Sequence, residues 1–374
     1  FFIKIGFSLN FLNLSLTFIP TLLNLSGIYL ICKFITSSNT LSFLISFAAI
    51  SLTKNFGEVD YPTLMFSWHT VGMFAFSLCT FILGLLTLRN LLFAFLACLL
   101  LSSIHLVVGL WMIGITTLSS YFFISKKNVK KIGVIIFISL IVILFHVNGF
   151  LNYTEIPFEF NQKDYDDYFN YVEAHRTNYG NMGYMYTDYV LKSLILLVLI
   201  YLFLKFNLPN KESNNKFFFI SLTLSIICSG TIFFTYKLFP QFFPEIAIRI
   251  IPPRFFLIHS IVGYPIIISI IFKFLENFFN KRKYNKNLSS ILISIIIILH
   301  LIQHNDVIKS RFSNIEKIKE NKIEEKLFWT KVNNLNPDGY IFTSNNLCYK
   351  TISYTNFPIL FCFDQLDYIP YLPK

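Results

Sequence analysis

The densest chemistry in the sequence is the run Gly57-Glu58-Val59-Asp60-Tyr61-Pro62. Carboxylates two residues apart could share a divalent cation such as Mg or Mn, or one could act as a general base. The same acids would also suit the positive N-terminal end of a helix, with Pro62 in its first turn. A second group is Glu173-Ala174-His175-Arg176-Thr177-Asn178-Tyr179-Gly180-Asn181. Here Arg176 beside His175 could grip phosphate oxygens while a Tyr stacks on a sugar face. Arg176 could equally pair with Asp166, Asp167 or Glu173 and simply hold its segment together. A third group is Arg249-Ile250-Ile251-Pro252-Pro253-Arg254. Its prolines block a helix before Arg254 and fix the approach of the backbone. Arg249 and Arg254 could then hold a lipid-linked phosphate, or snorkel to headgroups. His69 and His105 lie within long apolar runs, where a polar group marks either a site or a hydrogen bond between helices. The sequence contains no Gly-rich phosphate loop, HExxH motif or GxSxG elbow.

The elements that position these groups follow from composition. Of 374 residues, 55% are hydrophobic and 14% charged, with mean hydropathy +0.60. Soluble domains carry roughly 25% charged residues. Phe occurs 45 times, against 27 Pro and Gly together, which excludes disordered and collagen-like chains. The composition predicts a polytopic α-helical membrane protein. Apolar segments of spanning length fall near 14–35, 38–53, 63–87, 90–106, 107–125, 132–150, 189–206, 217–236, 255–275 and 288–304. Asn90 to Ser125 is 36 residues without Lys, Arg, Asp or Glu. That is too long for one pass, so two short helices turning at His105 are expected.

Basic residues set the orientation. Lys126, Lys127, Lys130 and Lys131 form one connection. Lys205, Lys211 and Lys216 form another, and Lys273, Lys281, Arg282, Lys283 and Lys286 a third. Placing these inside makes ten alternating spans consistent and brings Lys33 and Arg89 inside too. Only Glu212 and Glu276 of the 20 acids then fall inside. The net charge of +11 is thus a topology signal and does not point to nucleic acid.

The outer side receives segments 54–62, 151–188, 237–254 and the tail from Asn305. Residues 1–304 are expected as the transmembrane domain and 305–374 as a soluble, extracytoplasmic α/β module. In the tail, 306–335 reads as a charged helix, and YIFTS and PILFCF as buried strands after the Asn336-Pro337-Asp338-Gly339 turn. The six Cys show no metal spacing; Cys348 and Cys362 could pair in an oxidising compartment or stay as buried thiols. The first residue is Phe, and a preceding segment is expected.

Three stretches resemble the GT-C-type integral-membrane glycosyltransferases, including their uncharacterised bacterial relatives. These are YPTLMFSWHTVGMFAFSLCTFILGLLTLRNLLFAFLACLLLSSIHLVVGL, EAHRTNYGN and IPPRFFLIHSIVGYPI, with the tail GYIFTSN…FPILFCFDQLDYIPY resembling the group's end module. The resemblance implies transfer of a sugar from a polyprenyl-phosphate donor to a glycan, lipid or protein acceptor. It places the reaction on the outer face of a bacterial inner membrane. Glu58 and Asp60 match the position of an outer-loop acid, without a clean DxD. The acid of the group's first outer loop would precede this chain. An O-antigen polymerase or ligase is the second reading, favoured by Arg and His in outer loops and opposed by the α/β tail. A transporter or flippase ranks third, since it predicts mid-span charges and repeated halves with broken helices.

Overall fold

A computed structural model describes residues 9–49, 71–88, 90–121, isolated positions within 130–145, 179–207, 216–239, 255–281, 287–319, 323–334, 341–342 and 359–361. In chain order the helices are α1 (Leu9–Thr36), α2 (Asn39–Ala48), α3 (Val71–Thr87), α4 (Leu91–Ile104) and α5 (Leu106–Tyr121). They continue with α6 (Tyr179–Asn207), α7 (Lys216–Leu238), α8 (Phe255–Lys281), α9 (Asn287–Gln303), α10 (Asn305–Lys319) and α11 (Ile323–Asn334). Among the described residues, three stretches are long and apolar enough to cross a bilayer: Leu14–Thr36, Phe217–Thr235 and Ile261–Phe279. The protein is a helical membrane protein.

Polar caps cut the apolar sequence into separate helices. Ser37 adopts a left-handed conformation (φ 59°) and its N–H donates to the Lys33 carbonyl at 2.9 Å, which ends α1. The next residue, Ser38, accepts from the Leu41 N–H through its side chain and starts α2. Asn90 does the same for α4 by accepting from the Phe93 N–H at 3.3 Å. The segment expected as a span at 38–53 thus opens with a ten-residue helix. At 1.5 Å per residue that is about 15 Å, half the hydrocarbon thickness.

Helix α1 lies at the centre, packed on α3, α2 and α8, while α8 also touches α6, α7 and α9. The α1–α3 crossing is backbone against backbone. A Cβ on Gly27 would collide with the Thr80 carbonyl, and one on Gly84 would come 2.9 Å from the Gly27 Cα. Small residues permit this approach, as they do between membrane helices generally. Gly27 faces Thr80 and Phe81, while Gly84 faces Gly27 and Leu30. Contact positions therefore rise together along both helices, and α1 and α3 run parallel.

Aromatic contacts then fix which helix ends share a side. Near the end of α1, Phe34 lies 6.0 and 5.9 Å from Phe218 and Phe219 at the start of α7. Phe203, near the end of α6, lies 5.2 Å from Phe219. The end of α3 joins them because α3 parallels α1. At the other end, Trp111 of α5 stacks on Phe255, the first residue of α8, at 4.2 Å and 12°. The ends of α1 and α6 carry Lys33 and Lys205, and α7 begins at Lys216. The far end of α8 carries Lys273 and Lys281, with Lys273 paired to Glu276 at 2.6 Å. Basic termini thus gather at one end of the bundle.

In the tail, α10 and α11 are helical over most of the charged run 306–335, and residues 320–322 between them lie outside the described residues. Helix α10 packs against α1 and α9. Both expected strand runs contribute short strands, β1 (Ile341–Phe342) and β2 (Ile359–Phe361), which pair in parallel with Ile341 opposite Ile359.

Candidate functional site

His105 is the one sequence-predicted site residue among the described residues. Glu58, Asp60, His69, His175, Arg176, Arg249 and Arg254 lie outside them, so the divalent-cation expectation at Glu58 and Asp60 falls outside as well. No group of three His, Cys, Asp or Glu side chains gathers among the described residues.

The helix break expected at His105 is present. Its backbone is extended (φ −143°, ψ 95°), its N–H donates to the Leu101 carbonyl at 2.8 Å, and its carbonyl accepts from the Gly109 N–H at 2.9 Å. One residue therefore closes α4 and opens α5. The two helices fold back on each other: a Cβ on Gly109 would strike the backbone of Ser102. Deeper in the hairpin, Cys98 Sγ and Thr116 Oγ1 are 3.9 Å apart. Glycine at 109 is what lets the turn be this tight.

With 14 and 16 residues, α4 and α5 reach roughly 21 and 24 Å, short of the ~30 Å hydrocarbon core. Helices α1, α6, α7 and α8, with 28, 29, 23 and 27 residues, are all longer. The apex carries the half-buried His105. Six residues beyond it, Trp111 meets Phe255, which directly follows Arg254 in sequence. The His105 apex and the start of α8 thus share the end of the bundle opposite the basic termini.

Sequence reasoning passed over the buried polar groups between helices. Asn24 is 2% exposed and Ser77 is 0% exposed; Asn24 Oδ1 and Ser77 Oγ have no hydrogen-bond partner. Thr17, Thr21 and Asn24, spaced four and three apart, form one buried stripe on α1. On α7, Ser221, Ser225 and Ser229 form a second buried stripe, with Ser225 Oγ unpartnered. Trp111 Nε1 and Thr117 Oγ1 are also buried without a partner. The Ser, Thr and Asn side chains buried among the described residues are neutral, and no Lys, Arg, Asp or Glu is buried with them.

Comparison with known protein families, curated proteins and solved structures gave no match. What the fold defines is therefore its class, a helical integral-membrane protein.

Proposed function

We propose that the protein is a ten-span glycosyltransferase of the GT-C type. It moves a sugar from a polyprenyl-phosphate donor to a glycan, lipid or protein acceptor on the outer face of a bacterial inner membrane. The observation that carries this reading is the separation of the two bundle ends. The basic termini take the inner side by the positive-inside bias. The His105 apex and the start of α8, next to Arg254, then face outward. The sequence puts Glu58, Asp60, His175 and Arg176 in segments on that same side.

In this reaction the acceptor hydroxyl oxygen attacks the anomeric carbon. The bond from that carbon to the phosphate oxygen breaks, and its electron pair leaves with polyprenyl phosphate. Glu58 or Asp60 takes the acceptor proton, and if the reaction uses a divalent cation the same two carboxylates would hold it, where it would neutralise charge on the leaving phosphate. His175, Arg176, Arg249 and Arg254 bind the phosphate oxygens, and His69 and His105 donate hydrogen bonds from bilayer depth. An α/β module from residue 305 presents the acceptor. A shape-preserving change, Glu58→Gln or Asp60→Asn, should abolish transfer while expression and bilayer insertion stay normal. Full activity in both variants removes these acids from the mechanism.

A transport reading finds less support, because an ion or proton path calls for buried ionisable groups at membrane depth. The buried polar groups among the described residues are all neutral.

A further inference from the structure

We propose that Lys192 and a gap at Gly230, between α6 and α7, form a binding site for the phosphate of a lipid that enters from the outer leaflet. The site does not depend on the sugar-transfer reading. Lys33, Lys205, Lys216, Lys273 and Lys281 gather at the basic end of the bundle. Lys192 does not, because it lies thirteen residues before Lys205 on α6. At 1.5 Å per residue that is about 20 Å along the axis. Lys205 marks the basic surface, with its Nζ 5.9 and 5.8 Å from the centres of the Tyr201 and Phe206 rings. Such aromatic and cationic groups belong at the headgroup level. Lys192 is therefore roughly two-thirds of the way across a ~30 Å hydrocarbon core. An ionisable side chain at that depth marks a site by default, because its charge needs a counter-charge or water.

Helical register aims Lys192 into the gap. It precedes Phe203 by eleven residues, three turns, so both stand on one side of α6. That side faces α7, because the Phe203 ring centre is 5.2 Å from that of Phe219. The two helices run in opposite directions from this contact, since α6 ends and α7 begins at the basic end. Eleven residues on from Phe219, again three turns, is Gly230, which therefore faces α6 at the level of Lys192. A Cβ on Gly230 would meet nothing within 4 Å, whereas one on Gly27 or Gly109 would strike the neighbouring helix. Ile227 and Phe234, a turn to either side of Gly230, are 51% and 48% exposed, so the gap opens toward the acyl chains. Lys192 is half-buried. An ammonium carries three N–H donors, so it can take a phosphate oxygen and keep its existing contact.

The test is native mass spectrometry of the full chain in detergent, titrated in turn with polyprenyl phosphate, phosphatidylglycerol and unphosphorylated polyprenol. The parent should retain a phosphate-bearing lipid and no polyprenol. Lys192→Met should weaken that binding about tenfold or more, as loss of a hydrogen bond to a charged group does. Lys192→Arg should keep it. Gly230→Leu fills the gap while leaving the charge, and should weaken binding as well, which keeps the test decisive if Lys192→Met folds poorly. Retention of polyprenyl phosphate alone makes a lipid carrier the occupant, and phosphatidylglycerol alone a bulk phospholipid. Retention of both makes the phosphate itself the recognised group. No phosphate-dependent binding in the parent overturns the proposal, as does unchanged affinity in Lys192→Met or in Gly230→Leu.

Discussion

Asn24 shows most plainly what single residues do in this bundle. Its side-chain oxygen is buried in α1 without a partner, and such a group costs about 1–3 kcal/mol relative to a satisfied one. Asn24→Val, which keeps a branched side chain of nearer volume and removes the unpaired oxygen, should therefore raise thermal stability by about 1 kcal/mol. A fall in Tm would mean that the amide is satisfied in the membrane. Glycines give the opposite kind of prediction. Gly27→Ala drives a methyl into the backbone of Thr80 and should cost about 1–3 kcal/mol. Gly230→Ala meets open space and should gain about 0.5–1 kcal/mol from helix propensity. Unfolding of both variants in matched detergent checks the pair. The helix break at His105 was legible because an uncharged run too long for one pass must turn near a polar residue in its middle. Asn24 and the α7 serines were not, because small polar residues are common in membrane helices and only three-dimensional packing separates a buried stripe from an exposed one.

Among the elements, the α4–α5 hairpin was the most readable. Thirty-six uncharged residues exceed one crossing, and His105 was the polar interruption near the middle. Sequence could not give the depth of the turn, which depends on Gly109 meeting the Ser102 backbone. The folded-back arrangement predicts that Thr116→Cys will crosslink with native Cys98 under mild oxidation, since the present Sγ and Oγ1 atoms are 3.9 Å apart. Non-reducing peptide mapping reads the product. Absence of that crosslink, with both thiols intact, would contradict the hairpin packing.

At the scale of the whole molecule, the basic residues singled out along the sequence and the helix ends in space tell the same story by separate routes. Lys33, Lys205, Lys216, Lys273 and Lys281 were grouped by charge alone. The Phe34, Phe203, Phe218 and Phe219 contacts bring the ends that bear Lys33, Lys205 and Lys216 together through packing, and the Trp111–Phe255 stack holds the start of α8 away from them. Charge bias is legible in sequence because it acts locally on each connection. The pairing of helices is not, since lipid-facing and helix-facing apolar residues look alike when the solvent is itself apolar. The sugar-transfer account requires that chemistry occur at the end opposite those lysines. The direct measurement uses proteoliposomes of known protein orientation, a panel of radiolabelled polyprenyl-phosphate hexoses, and the acceptor glycan supplied to one side at a time. Label transfer and polyprenyl phosphate release are expected only when the acceptor reaches the His105 end, and none in Glu58→Gln or Asp60→Asn. Turnover from the lysine-bearing end, or equal turnover in both carboxylate variants, would contradict it.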